Sequence, residues 1–141
     1  MLNSTWFQNL TLVNTLSIDN NVVSMIAPHT FDGLRRIQKI SLKGNRITSI
    51  PAFTFNNFSS LTNISLSSNA ITSIALGNFN GVPHLLQISI DNNPSLTWLP
   101  PGLFASAPSL TTMLESNQQG HEDNDGHFER DIGGQPLVER A

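Results

Sequence analysis

The chain has 141 residues, 38% of them apolar, with no cysteine and a formal net charge of −3. That length suits one compact domain, and without cysteine there is neither a disulfide framework nor a thiolate metal site. No apolar run approaches the roughly 18 residues of a membrane span, and Met1 to Leu12 lacks the basic start and continuous apolar stretch of a secretory leader.

Taken in order, the chain opens in the middle of a period. Leu2, Phe7 and Leu10 lie about 24 residues before Ile26, Phe31 and Leu34. A half-period with no polar cap leaves these three without a neighbour on one side, which is unfavourable in a monomer. The expectation is an uncapped edge that frays or self-associates, as in a fragment of a longer array.

Full periods start at Val13, Ile37, Leu61 and Leu85, and the positions behind each starter move in register. The first places Val13, Leu16, Ile18, Val23, Ile26, Phe31 and Leu34 inside. Leu16-Ser17-Ile18, Ile40-Ser41-Leu42, Ile64-Ser65-Leu66 and Ile88-Ser89-Ile90 alternate with the period of two that marks a short strand with one buried face. Each period therefore contributes one strand, and its chain returns behind the sheet to start the next. Parallel strands and right-handed coiling follow.

Two ladders accompany the strands. Asn21, Asn45, Asn69 and Asn93 recur where the chain leaves the sheet. An inward amide there accepts from one backbone turn and donates to the next, pairing groups that the bend strips of strand partners. Phe7, Phe31, Phe55, Phe79 and Phe104 recur on the returning side, where rings stack into a spine.

The fourth period carries one extra residue, within Asn93-Pro94-Ser95-Leu96, and an insertion of this size belongs in a loop. Pro94, Pro100 and Pro101 stiffen that bend. Trp98 stands where Met25, Ser49 and Ser73 stand in earlier periods. It either packs on Pro100 or Pro101 or anchors a partner. Leu110 to Met113 opens a fifth period, but Glu115 falls where the strand needs an apolar residue. Residues 1–114 therefore form the repeat domain, with a partial period at 1–12, periods from 13, 37, 61 and 85, and a degenerate start at 110. Residues 115–141 have the composition of a disordered acidic tail. The tail carries the net negative charge; in 1–114 Arg35, Arg36, Lys39, Lys43 and Arg46 outnumber Asp19, Asp32 and Asp91.

The pattern Ile37-x-x-Ile40-x-Leu42-x-x-Asn45-x-Ile47-x-x-Ile50-x-x-x-x-Phe55-x-x-Phe58 and its copies over residues 2 to 114 resemble the typical-class leucine-rich repeat. The resemblance implies an α/β fold, a right-handed horseshoe solenoid with one short parallel strand per repeat on the concave face and a mostly irregular or short helical convex side. It also implies an extracellular or ectodomain location, as in Toll-like, Slit-like and chaoptin-like proteins, and protein or glycan binding on the concave face. Such ectodomains usually close their ends with cysteine-stapled caps, which this sequence lacks. The Asn-Pro-Ser-Leu to Leu-Pro-Pro-Gly-Leu-Phe stretch is also similar to arthropod repeats, including the non-catalytic subunit family of shrimp luciferin monooxygenase.

On the strands and just past them, the outward concave residues are Thr15, Ser17 and Asp19; Lys39, Ser41 and Lys43; Asn63, Ser65 and Ser67; Gln87, Ser89 and Asp91. They are the expected contact surface, with Asp19 facing Lys43 across neighbouring strands and Lys39 the freer cation. Asn3, Asn9, Asn57 and Asn63 each begin an Asn-x-Ser/Thr glycosylation acceptor. A sugar on Asn63 would obstruct the concave face.

The chemistry of enzymes is absent from the pattern. His29 and His84 fall at different offsets about two repeats apart, with no means of joining one acid–base network. His121-Glu-Asp-Asn-Asp-Gly-His127 contains the middle of a calcium loop but lacks the oxygen ligands at its ends, so no metal and no cofactor is expected. The basic residues have no aromatic stacking platform beside them for nucleic acid. The expectation is a non-catalytic binding module. Its competitors are a ligand-free structural piece of a longer scaffold and, behind that, a non-catalytic subunit of an enzyme complex.

Overall fold

The computed structural model describes residues 1–114. The chain winds through about four coils, each laying one strand against the last. Five strands form a parallel sheet: β1 (Thr15–Ser17), β2 (Lys39–Ser41), β4 (Asn63–Ser65), β6 (Gln87–Ser89) and β7 (Thr112–Leu114), paired in that order. The register keeps like with like: Leu16 opposes Ile40, Ile40 opposes Ile64, and Ile64 opposes Ile88. A one-residue slip would turn the whole buried row outward. The final step, Ile88 to Met113, spans one residue more than the others, yet the strands stay in register. The extra residue is taken up in the turn after Asn93, so the insertion lengthens a loop and leaves the sheet intact.

The core lies between this sheet and the returning chain. Ile40, Leu42, Ile64, Leu66, Ile88 and Ile90 meet Ile47, Ile71, Ile50 and Ile74 in one continuous apolar cluster. Phe31, Phe55 and Phe79 are fully buried, with ring centroids 5.7 and 6.3 Å apart and planes within 10° of parallel. Phe7 and Phe104 extend the spine at its two ends, at 5.4 and 5.0 Å. Each such pair contributes about 1 kcal/mol beyond the area it buries.

The return side is mostly turns, with a single 3₁₀ turn at Ser4–Trp6 and no α-helix among the described residues. It also holds a second, two-stranded parallel sheet, β3 (Ser49–Ile50) against β5 (Ser73–Ile74). Beneath that edge runs a polar ladder distinct from the asparagines at the strand ends. Thr30, Thr54 and Asn78 are wholly buried at one offset. Thr30 Oγ1 donates to the carbonyls of Ala27 and Leu2, Thr54 Oγ1 donates to that of Pro51, and Asn78 Oδ1 accepts the Thr54 N–H at 2.9 Å.

The asparagine ladder at the strand ends forms as its spacing predicts in three of four coils. Asn69 Oδ1 accepts the Ile47 N–H at 3.0 Å, and its Nδ2 donates to the carbonyls of Leu42 and Leu66, each at 3.0 Å. Asn45 and Asn93 repeat the arrangement one coil to either side. Asn21 departs from it. Its amide is exposed and donates only within its own turn, to Ile18 and Asp19, because no described coil precedes it for its oxygen to serve.

The opening segment also differs from expectation. Leu2 and Phe7 are 1% and 5% exposed, since Leu2 bridges to Ile26, donating its N–H to Met25 and accepting from Ala27. Leu10 is 42% exposed and leaves the core. The half-coil covers the return side of the first full coil and not its strand, so Val13, Leu16, Ile18 and Val23 are only partly buried. The acidic segment 115–141 and the histidine-flanked run 121–127 lie outside the described residues.

Candidate functional site

The concave surface is built by the strand alternation itself. Where Leu16, Ile40, Ile64 and Ile88 point inward, their neighbours point out in two rows: Thr15, Lys39, Asn63 and Gln87, and Ser17, Ser41, Ser65 and Ser89. Thr15, Ser17, Asp19, Lys39, Ser41, Asn63, Ser65, Gln87 and Ser89 line one shallow depression of about 280 Å³. Lys43, Ser67 and Asp91 stand in a third row, just past the strands, and do not line it. Ser67 and Ser89 are largely covered, at 4% and 8% exposure, so they brace the surface more than they present themselves.

Hydrogen bonds along the rows decide which groups remain available. Asp19 Oδ1 accepts the Ser41 hydroxyl at 2.6 Å and the Lys43 backbone N–H at 2.9 Å. The expected Asp19–Lys43 side-chain pair does not form, because the carboxylate is held by the next strand's hydroxyl and backbone; the ion pair among the described residues is His29–Asp32. Asp91 likewise accepts from Ser67 Oγ. Asn63 Nδ2 donates to Gln87 Oε1 at 3.1 Å, while its own Oδ1 accepts the Thr62 hydroxyl. With both aspartates engaged, the ammonium groups of Lys39 and Lys43 are the unpaired charges of this face among the described residues.

The loop past each strand takes a left-handed residue at one fixed offset: Asn20, Gly44, Ser68 and Asn92, with φ between 55° and 69°. At Gly44 a Cβ would lie 2.4 Å from Asn20 Oδ1, so neighbouring turns pack too closely for a side chain there. Trp98 is 63% exposed and sits at the edge of the fourth coil, away from the concave depression. Its ring makes no aromatic contact among the described residues.

The four glycosylation acceptors separate by environment. Asn9 and Asn57 are exposed. Asn3 caps the 3₁₀ turn, its Oδ1 accepting from the Thr5 N–H and hydroxyl. Asn63 is a strand residue whose amide is committed to Gln87.

A second concavity, of about 330 Å³, lies on the flank and was not anticipated from the sequence. It is lined by His29, Asp32 and Arg35 from one coil and by Asn56, Asn57 and Phe58 from the next. His29 Nδ1 lies 3.0 Å from Asp32 Oδ2, and the imidazole stacks on Phe53 at 5.9 Å with planes 10° apart. The repeat offset was the available signal, since Asp32 and Asn56, like His29 and Phe53, are one period apart. His84 is exposed and distant in the fold from this pair, and no group of three or more metal-ligating residues occurs among the described residues.

Comparison with known proteins places this geometry. The leucine rich repeat family model matches residues 1–47, 35–94 and 59–118. Among solved structures, a chain of the Toll–Spatzle complex from Drosophila superposes with a TM-score of 0.58 at 22% identity, over 82% of this chain and 19% of that one. Human 5T4 (Wnt-activated inhibitory factor 1, trophoblast glycoprotein) superposes with a TM-score of 0.54 at 20% identity, over 79% of this chain and 53% of that one. No curated protein matches the sequence. The chain thus spans about a fifth of the first structure and about half of the second, and likeness at such identities concerns the fold alone.

Proposed function

The chain belongs to the leucine-rich repeat family, and on that premise we propose that it is a non-catalytic binding module whose concave face receives a protein partner. The observation that carries this reading is the depression that spans four adjacent strands, where polar side chains with Lys39 as the one cation surround Leu16, Ile40 and Ile64. Small polar side chains on a stiff parallel sheet present hydrogen-bonding groups in fixed rows roughly 4.8 Å apart. A partner strand or loop with carboxylate and amide groups matches that spacing. The Toll structure was determined as a complex with Spatzle, which supports a binding function as the class. The face has no aromatic cluster for a tight hot spot, so affinity comes from many weak contacts along the array, and a glycan is the ligand that competes with a protein on these grounds. An extracellular setting goes with this reading through the resemblance to typical-class leucine-rich repeats.

A photo-reactive residue at Ser65, compared with one at exposed Ser106, tests the surface. Capture of a partner at Ser65 and not at Ser106, with weaker capture after Lys39→Glu and an unchanged melting curve, supports the proposal. Equal capture at both positions, or loss only on altering Trp98, moves the site off the concave face.

The partly buried Val13, Leu16, Ile18 and Val23 at the β1 end favour a second reading, in which copies associate through that edge. An unpaired parallel edge over an apolar row is a template for another strand.

A further inference from the structure

The flank concavity carries a second function of its own. We propose that the pocket between His29, Asp32, Arg35, Asn56 and Asn57 is a saccharide subsite that holds one pyranose ring of a glycan, independently of the concave face.

The chemistry of its lining selects this ligand class. The pocket holds one guanidinium, from Arg35, one carboxylate, from Asp32, and the His29 imidazole 3.0 Å from that carboxylate, so neither sign of charge fills it alone. An excess of cations would favour phosphate or sulfate, and an excess of carboxylates a metal; a balanced set of donors and acceptors suits a neutral polyol. Asp32 spends Oδ2 on His29 Nδ1 and keeps Oδ1 as an acceptor. Arg35 makes no ion pair among the described residues and keeps its planar fork of donors. The amides of Asn56 and Asn57 add both donors and acceptors. Planar polar groups of this kind match the vicinal hydroxyls along the edge of a sugar ring.

The apolar faces of such a ring also find a counterpart. Phe58 is 5% exposed and closes the pocket from the core side. The imidazole of His29 is backed by Phe53, which holds it as a flat wall. Pockets of a few hundred Å³ that combine apolar walls with a few convergent polar groups are the usual form of small-ligand sites, and this one measures about 330 Å³.

The sugar has two sources, a partner's glycan or the protein's own, because Asn57-Phe58-Ser59 is itself an acceptor motif at the pocket. Titration of the full chain, made in bacteria and so without sugar, separates them and tests the proposal. With N-acetylglucosamine as the probe, saturable NMR shifts of the Asn56, Asn57 and His29 signals are expected. Asp32→Asn and Arg35→Ala should each weaken binding by about tenfold, while Lys39→Glu leaves it unchanged. An absence of saturable shifts overturns the proposal, as does binding that is indifferent to both flank variants in proteins with unaltered melting. A response to sodium sulfate in place of the sugar also overturns it, making the pocket an anion site. The chain is then produced in a secretory host with Asn57 occupied. Loss of the response to added sugar assigns the subsite to the protein's own glycan, and retention assigns it to a partner's.

Discussion

A single asparagine in this fold does the work of several backbone partners. Asn69 pairs the Ile47 N–H and the Leu42 and Leu66 carbonyls, all of them buried. Replacing it with alanine leaves the Ile47 N–H unpaired, while the Leu42 and Leu66 carbonyls keep a donor each, from Asn45 and Asn93; an unpaired buried group costs about 1–3 kcal/mol when it cannot relax. Asn69→Ala should therefore lower stability by about 2 kcal/mol, read from the denaturant midpoint, whereas exposed Asn21→Ala should cost less than about 1 kcal/mol. Equal losses would show that the ladder is decoration on a sheet held by its apolar row. The sequence carried this difference only in part. The spacing of the four asparagines was plain, but that each inward amide oxygen serves the N–H 22 residues earlier, a position before Met1 for Asn21, shows only in the folded coils. Asp19 is a similar case. Its offset aligned it with Lys43, yet a carboxylate that can accept both a hydroxyl and a backbone N–H has little reason to meet a solvated ammonium, whose exposed pairing is worth at most about 1 kcal/mol.

Among the elements, four of the five main strands were legible because alternation of Ile or Leu with Ser has a period only a strand satisfies; β7, with Thr112-Met113-Leu114, lacks that alternation and read only as a degenerate start. The smaller sheet was not legible. β3 and β5 are two residues each, too short for any period to declare itself, and their pairing follows from stacking of the coils. The Thr30, Thr54 and Asn78 ladder escaped for a related reason: threonine and asparagine are ordinary in loops, and only their common offset marks them. Asn78 joins the β3 and β5 coils, its Oδ1 accepting from Thr54 and its Nδ2 donating to Ala75 at 2.9 Å. Asn78→Ala should destabilise by about 2 kcal/mol. Thr54→Val, which keeps the backbone bond and loses one hydroxyl bond, should cost about half as much. Thermal unfolding of the two variants checks the order, and a reversal would mean that the hydroxyl bond within the Pro51–Thr54 turn matters more than the amide that bridges the coils. The flank pocket belongs to this scale too. Its lining comes from two successive coils, so a reading of one repeat at a time cannot assemble it.

At the scale of the whole molecule, each coil touches only the coils beside it, so stability is a sum of neighbouring interfaces. Exchange of backbone amides should therefore be slowest in β2 and β4, which have partners on both sides, and faster in β1, which has one. Leu2 is paired at both its N–H and its carbonyl and should exchange more slowly than its place near the chain's start suggests. Uniform protection from β1 to β7 in a dilute monomer would contradict this, and protection of β1 that grows with concentration would support association through that edge. Residues 115–141 offer few apolar side chains by composition. Truncation after Leu114 should leave the melting temperature nearly unchanged, and a large fall would show that part of that segment completes the last coil.

The register of the parallel sheet has a mechanical consequence. In a parallel stack of coils, pulling the two chain ends apart does not load every strand at once; the outermost coil bears the tension and peels from the one beneath it. Each release frees one repeat of about 24 residues, or about 80 Å of extended chain. Under a steady pull the molecule should lengthen in near-equal steps. The coil with the added residue after Asn93 would give a step longer by one residue, and the freed coils would rewind in turn when the tension is eased.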